Sequence, residues 1–214
     1  MRSRWLGFGF AILAGLASVW AFPQLPERIA THWNASGQPN GYSSRAFAAW
    51  FTPAMIAGVA LLFQILPKID PKRRNYEKFG NAYWLLANVL PLFLLCVHLL
   101  VLANGLGYPA PMGRLIPVGV GLLFIVLGNY LPQIQPNWFM GVRTPWTLSS
   151  DSVWRQTHRT AGWVFVAAGF VMLTGVVLPR IAYLPLLVVT ILVAPMIPIV
   201  QSYILWKREQ SDGH

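Results

Sequence analysis

The groups in this 214-residue chain able to ligate a metal, move a proton or attack a substrate are few: four His, one Cys and six acidic residues. His32 lies in Ile29-Ala30-Thr31-His32-Trp33-Asn34, and its nearest carboxylate is Glu27, five residues earlier. A protein metal site needs three or four ligands, so no metal is expected there. His98 shares a helical face with Trp84 and Pro91, each seven residues apart, and Asn88, Asn104 and Asn129 are the other polar groups in apolar surroundings. Such residues can line a ligand seam, but hydrogen bonding between helices is their commoner use and is the expectation here. A lone Cys96 excludes a disulfide within the chain and a Cys-based metal centre, and a buried, inert thiol is expected. His158 stands between Arg155 and Arg159 and is read as the polar edge of a helix. Catalysis at membrane depth would need paired acids, metal ligands or an activated nucleophile. With none in view, neither an enzyme nor a cofactor is expected.

The elements that must position these groups follow from charge scarcity. Apolar residues make up 56% of the chain and charged ones 10%, and the mean hydropathy is +0.52. A soluble domain is usually about a quarter charged. Six stretches of at least 20 residues (5–26, 46–67, 79–113, 115–142, 160–179 and 181–206) contain no Asp, Glu, Lys or Arg. About 20 apolar residues cross a bilayer as a helix. Trimmed at Pro, Gly and Asn, they predict spans near 5–22, 46–66, 81–104, 114–131, 161–178 and 184–206. The expected fold is an all-α integral membrane protein of six transmembrane helices. It divides into a two-span unit over 1–66 and a four-span unit over 67–214 within one compact membrane domain. The first span follows Arg2 and Arg4 like a signal peptide, but it is too long for one and is expected to stay uncleaved.

Placing both termini in the cytoplasm puts Arg2, Arg4, Lys68, Lys72, Arg73, Arg74, Lys78, Arg143, Arg155, Arg159, Lys207 and Arg208 inside, against Arg28, Arg45, Arg114 and Arg180 outside. That is a strong positive-inside bias. The net charge of +10 is therefore a topology signal, and no direct nucleic-acid partner is expected. The location implied is a membrane that the chain crosses several times.

Three loops hold the remaining candidates. The external segment 23–45 is rich in turn formers and amphipathic aromatics. Asn40-Gly41 and Ser36-Gly37 suggest tight turns, Asn34-Ala35-Ser36 matches a glycosylation sequon of very low specificity, and Trp33 and Tyr42 suit the headgroup level. The cytoplasmic loop 67–80 carries Lys68, Lys72, Arg73, Arg74 and Lys78, a cluster suited to anionic lipids or to an acidic protein. The loop 132–160 has no regular period until Ser149-Ser150-Asp151, which can cap a short interfacial amphipathic helix before the fifth span, laying Trp154 into the membrane boundary. In the sixth span Pro195 and Pro198 predict a kink, and with the His98 seam they would form the path of a small-solute or ion transporter, the alternative function.

Two motifs carry a family resemblance. Leu25-Pro26-x-x-Ile29-x-Thr31-His32-Trp33-Asn34-x-x-Gly37-x-x-Asn40-Gly41-Tyr42 resembles the N-terminal domain of unknown function found in the SdpI family of bacterial membrane immunity proteins. Asn129-Tyr130-Leu131-Pro132, then Pro136-Asn137-x-Phe139-x-Gly141-Val142-Arg143-Thr144-Pro145-Trp146-Thr147-Leu148, then Val153-Trp154-x-x-Thr157-His158-Arg159-x-x-Gly162, is similar to that family's C-terminal signature. The resemblance implies a membrane immunity or sensor protein that confers resistance to a secreted antimicrobial peptide toxin and can sequester a cytoplasmic transcriptional repressor. On that reading Thr31, His32, Trp33, Asn34, Gly41 and Tyr42 are candidates for meeting the toxin. Arg73, Arg74, Asn137, Phe139, Gly141, Arg143, Thr144, Pro145, Trp146, Trp154, His158 and Arg159 are candidates on the cytoplasmic side.

Overall fold

The structure is a computed structural model that describes residues 3–34 and 37–212. Arg2, Ser36 and the sequon's central residue lie outside the described residues, and with them the suggested Ser36-Gly37 turn. An apolar run with no water to satisfy its amides must bond them internally, and the described residues do so in α1 (Leu6–Ala21), α2 (Arg45–Ile69), α3 (Tyr76–Gly105), α4 (Met112–Tyr130), a short α5 (Pro145–Ser149), α6 (Asp151–Leu173) and α7 (Arg180–Asp212). All but α5 are long and apolar enough to cross a membrane, so the protein is an all-α multi-pass membrane protein, as its charge pattern predicts. Two strands, β1 (Arg28–Trp33) and β2 (Pro39–Ser44), form a hairpin in the external segment that the sequence marks as rich in turns.

Prolines stand inside the long helices. In α3 the dihedral break falls at Phe79 (φ −130°, ψ 21°), twelve residues before Pro91. α7 runs uninterrupted through Pro185, Pro195 and Pro198. Proline removes one amide donor and crowds a carbonyl, but in an apolar helix local adjustment can re-satisfy those groups, so helix continues.

Contacts divide the chain into two compact units, Met1–Gln64 with Ala87–Gly119, and Ile65–Leu86 with Val120–His214. In the first, Ala14, Ile56 and Leu95 form one buried cluster, and Ala21, Leu25, Ile29, Ala48, Ala49 and Leu102 form another. Small side chains let the helices approach: a Cβ on Gly7 would stand 2.9 Å from that of Ala60. On α1, Ala14 and Ser18 are fully buried, whereas Gly15 faces open space. The Ser18 hydroxyl donates to the Ala49 carbonyl at 2.5 Å, leaving its oxygen to accept from His98 Nε2 at 2.9 Å. His98 is thereby part of a polar tie among α1, α2 and α3. Cys96, expected to be buried, is exposed, because its face of α3 is not covered by protein.

In the second unit, α4 and α6 approach through glycine. A Cβ on Gly128 would meet the Gly162 carbonyl at 2.6 Å and one on Gly162 would meet the Gly128 carbonyl at 2.8 Å; Gly121 and Gly169 repeat the arrangement two turns away. Tyr183 of α7 lies over Gly175 and donates to the Met172 carbonyl at 3.0 Å, and Gln201 donates to Thr160 Oγ1 at 2.8 Å.

Candidate functional site

The candidates expected outside the cell stand on the β1–β2 hairpin, which is anchored at its base and open at its other face. Ile29 and Ala30 are buried, Ile29 in the cluster of Leu25, Ala49 and Leu102. A Cβ on Gly105, at the end of α3, would stand 2.8 Å from a Leu25 methyl, so α3 packs closely against the chain leading into the hairpin. The Arg45 amide donates to the Glu27 carbonyl at 2.9 Å, and the Arg45 guanidinium sits 4.8 Å from the centre of the Phe22 ring, clamping the base from the α2 side. The strands pair Arg28 with Ser44, Ala30 with Tyr42, His32 with Gly41 and Trp33 with Pro39, and register shifts flank His32.

Several polar groups of the hairpin have local partners. Thr31 Oγ1 meets Ser43 Oγ at 2.9 Å, and His32 Nδ1 meets Asn40 Oδ1 at 2.6 Å, which makes Nδ1 the protonated nitrogen because an amide oxygen only accepts. Asn34 closes the turn: its Oδ1 accepts from the Gln38 amide at 3.0 Å, and its carbonyl accepts from Gly37, whose φ of 70° suits glycine. Asn40-Gly41, suggested by sequence as the turn, lies inside β2 instead. Gly41 is there because a Cβ would stand 2.8 Å from that of His32 across the strands. Tyr42 (53% exposed) and His32 face outward, Thr31, Trp33 and Asn34 are half-buried, and Gly41 lies between them.

The segment 129–162, expected in the cytoplasm, behaves differently: many of its distinctive residues are buried, and several are bonded within the segment. Asn137 is fully buried; its Nδ2 donates to the carbonyls of Gln135 (2.9 Å) and Met140 (3.1 Å), while its Oδ1 accepts from the amides of Phe139 (2.9 Å) and Met140 (2.6 Å). One side chain thus folds the 135–140 loop. Thr144 caps α5 in a reciprocal box with Thr147 and reaches Ser202 of α7 at 3.0 Å. Trp146 rests its ring 5.1 Å from that of Tyr203.

Trp154 and His158 form the centre of this segment. The amphipathic stretch 151–161 is the first part of α6 itself, capped by Ser150, and not a separate helix lying in the interface. Its Val153, Trp154, Thr157, Ala161 face packs into protein, because loop 132–143 folds over it. Trp154 is fully buried, donates from Nε1 to the Ile134 carbonyl at 2.8 Å and stacks on His158 with ring centres 4.1 Å apart. His158 Nδ1 donates to the Trp154 carbonyl at 2.9 Å, and its Nε2 accepts from the Val142 amide at 3.0 Å. Both bonds together require the neutral ring protonated on Nδ1. Gly141, with φ 99°, passes so close that any Cβ would overlap His158 Nε2.

Asp70, which charge counting gave no special role, is what joins the basic loop to the signature. It is 2% exposed. Its Oδ2 accepts from the Tyr76 hydroxyl at 2.9 Å and from the Trp138 amide at 3.0 Å, and its Oδ1 accepts from the Lys72 amide at 2.7 Å. Asn75 Nδ2 donates to the Pro136 carbonyl at 2.7 Å, and Lys72 Nζ lies 3.9 Å from Asp151 at the start of α6. The loops at 67–80 and 132–151 are therefore one connected surface. Arg73 and Arg74 are exposed on it beside a recess of about 480 Å³ that Lys72, Asn75 and Asp151 also line. Arg143, whose guanidinium donates to the Trp138 carbonyl at 2.8 Å, is exposed, as are Gly141, Pro145 and Arg159, while Phe139 is half-buried. No sequence signal marked Asp70, since a single acid next to proline in a basic loop reads as solvated. Among the described residues, no three of His, Cys, Asp and Glu are grouped to hold a metal ion.

Residues 133–202 match the SdpI/YfhL protein family, and residues 9–57 match a domain of unknown function, DUF1648. The first match lies wholly in the second unit and the other wholly in the first unit. The chain is 26% identical over 208 residues to the Immunity protein SdpI of Bacillus subtilis (strain 168), covering 97% of this chain and 98% of that relative. No solved structure matches. The chain is thus similar to the SdpI/YfhL family over its C-terminal third, and to one immunity protein along nearly its whole length.

Proposed function

We propose that this protein is a membrane immunity protein that acts by binding and not by catalysis, protecting its cell from a secreted peptide toxin. The observation that carries the reading is the end-to-end likeness to a protein named for immunity. The β1–β2 hairpin, with Tyr42, His32 and Trp33 at its outer face, is the element suited to meet an apolar peptide outside the cell. The surface of Arg73, Arg74 and Arg143, with both chain termini, faces the cytoplasm on this reading and is suited to hold an acidic face of a transcriptional repressor.

The test is expression in a strain sensitive to a secreted killing peptide. Wild type should restore growth, and Trp33→Ala/Tyr42→Ala should lose protection at an unchanged membrane level. Full protection by that variant would remove the hairpin from the mechanism. Charge reversal at Arg73 and Arg74 should abolish membrane recruitment of a repressor while leaving protection intact. Liposomes containing the purified protein should hold an ion gradient; dissipation would favour a carrier instead.

A further inference from the structure

A groove in the second unit is built from residues that neither the hairpin nor the Arg73–Arg74 surface uses. It encloses about 540 Å³ where the end of α4 meets α6, and it is lined by Gly128, Asn129, Pro132, Gln135, Arg155, Arg159, Gly162, Trp163 and Val166. Its floor exists because glycine stands on both helices at Gly128 and Gly162; any larger residue would push them apart. Arg155 and Arg159 are four residues apart on α6, so one turn separates their guanidinium groups along the same wall.

Three features say what fills it. First, no acidic side chain lines the groove, and among the described residues neither arginine makes a hydrogen bond or an ion pair. Arg143 and Lys72, by contrast, are both engaged. Second, the amides of Asn129 and Gln135 add neutral polar groups at the same level. Third, the remaining wall is apolar and turned away from the protein: Trp163 is 74% exposed and Val166 lies one turn deeper along the span. Two unsatisfied guanidinium groups above an apolar cleft between spanning helices match a phosphate on an acyl chain, since arginine binds phosphate oxygens through paired N–H donors while hydrocarbon covers the aromatic wall.

We propose that this groove binds the phosphodiester headgroup of an anionic phospholipid, held by Arg155 and Arg159, with an acyl chain lying along Trp163 and Val166. The site differs from a general attraction of the basic loop to a charged surface, because it is a cleft with a fixed donor pair. It also stands independently of the immunity reading, since it needs only a membrane.

The experiment is native mass spectrometry of the full chain in detergent, presented with an equimolar mixture of phosphatidylglycerol and phosphatidylcholine. Wild type should retain phosphatidylglycerol in preference, as a single tightly held adduct. Arg155→Gln/Arg159→Gln should lower that retention by about tenfold or more, Arg155→Lys/Arg159→Lys should keep most of it, and Arg73→Gln/Arg74→Gln should leave it unchanged. Excess inorganic phosphate should not displace the lipid. Equal retention of both lipids by wild type would overturn the proposal, and this comparison holds whether or not the glutamine variant folds. Undiminished retention in a folded glutamine variant would do the same. Displacement by inorganic phosphate alone would assign the arginines to a free anion and overturn the lipid assignment.

Discussion

The hairpin at 28–44 and the segment at 133–162 draw on the same residue types, His, Trp, Asn, Thr and Gly, and use them in opposite ways. In the hairpin, His32 and Tyr42 face outward, and its polar groups pair within the hairpin itself, His32 with Asn40 and Thr31 with Ser43. In the segment, Asn137, Thr144, Thr147, Trp154 and His158 are all buried, and their bonds join loop, α5, α6 and α7. A motif can therefore be distinctive for two reasons: it presents a surface, or it builds the support for one. The arginines beside the buried network, and not the network itself, remain available to a partner.

Substitutions should separate the two regions by what they damage. The largest effect is expected at Gly141→Ala, where a positive φ and overlap with His158 act together; thermal unfolding in detergent should show a loss of about 3–5 kcal/mol or no folded protein. Next comes Asp70→Ala, which leaves the Tyr76 hydroxyl and the amides of Trp138 and Lys72 without their acceptor. About 2–4 kcal/mol should be lost, and proteolysis should cut the 67–80 and 132–143 loops. Gly162→Ala, which forces α6 from α4, should cost about 1–3 kcal/mol. Tyr42→Ala should change stability by less than about 0.5 kcal/mol, because the side chain is exposed and only its cross-strand contacts are lost. A hairpin variant as damaging as Gly141→Ala would erase the distinction.

The spans were legible from charge alone, because expelling charge from the bilayer is a demand on composition. What the sequence hid were contacts. The hairpin was unreadable because Asn40-Gly41, a strong turn signal, is used for a close cross-strand approach to His32. Trp154 was assigned to the membrane boundary because an amphipathic helix next to a span looks the same whether lipid or a folded-back loop covers it; the Ile134 carbonyl that bonds its indole lies twenty residues away. Asp70 carries no pattern, since its partners include an amide sixty-eight residues distant. The glycines of α4 and α6 have meaning only as a pair across two helices. The family resemblance marks the segment, and burial sorts the side chains that support it from those that face outward.

The most direct test of the division compares survival of a toxin-sensitive strain expressing His32→Ala/Tyr42→Ala with one expressing Asn137→Ala, each normalised to membrane protein level. The account predicts that the hairpin variant accumulates like wild type and fails to protect, whereas Asn137→Ala fails by accumulating poorly and protects in proportion to what remains. Full protection by the hairpin variant, or a normally accumulating Asn137→Ala that gives none, would contradict it.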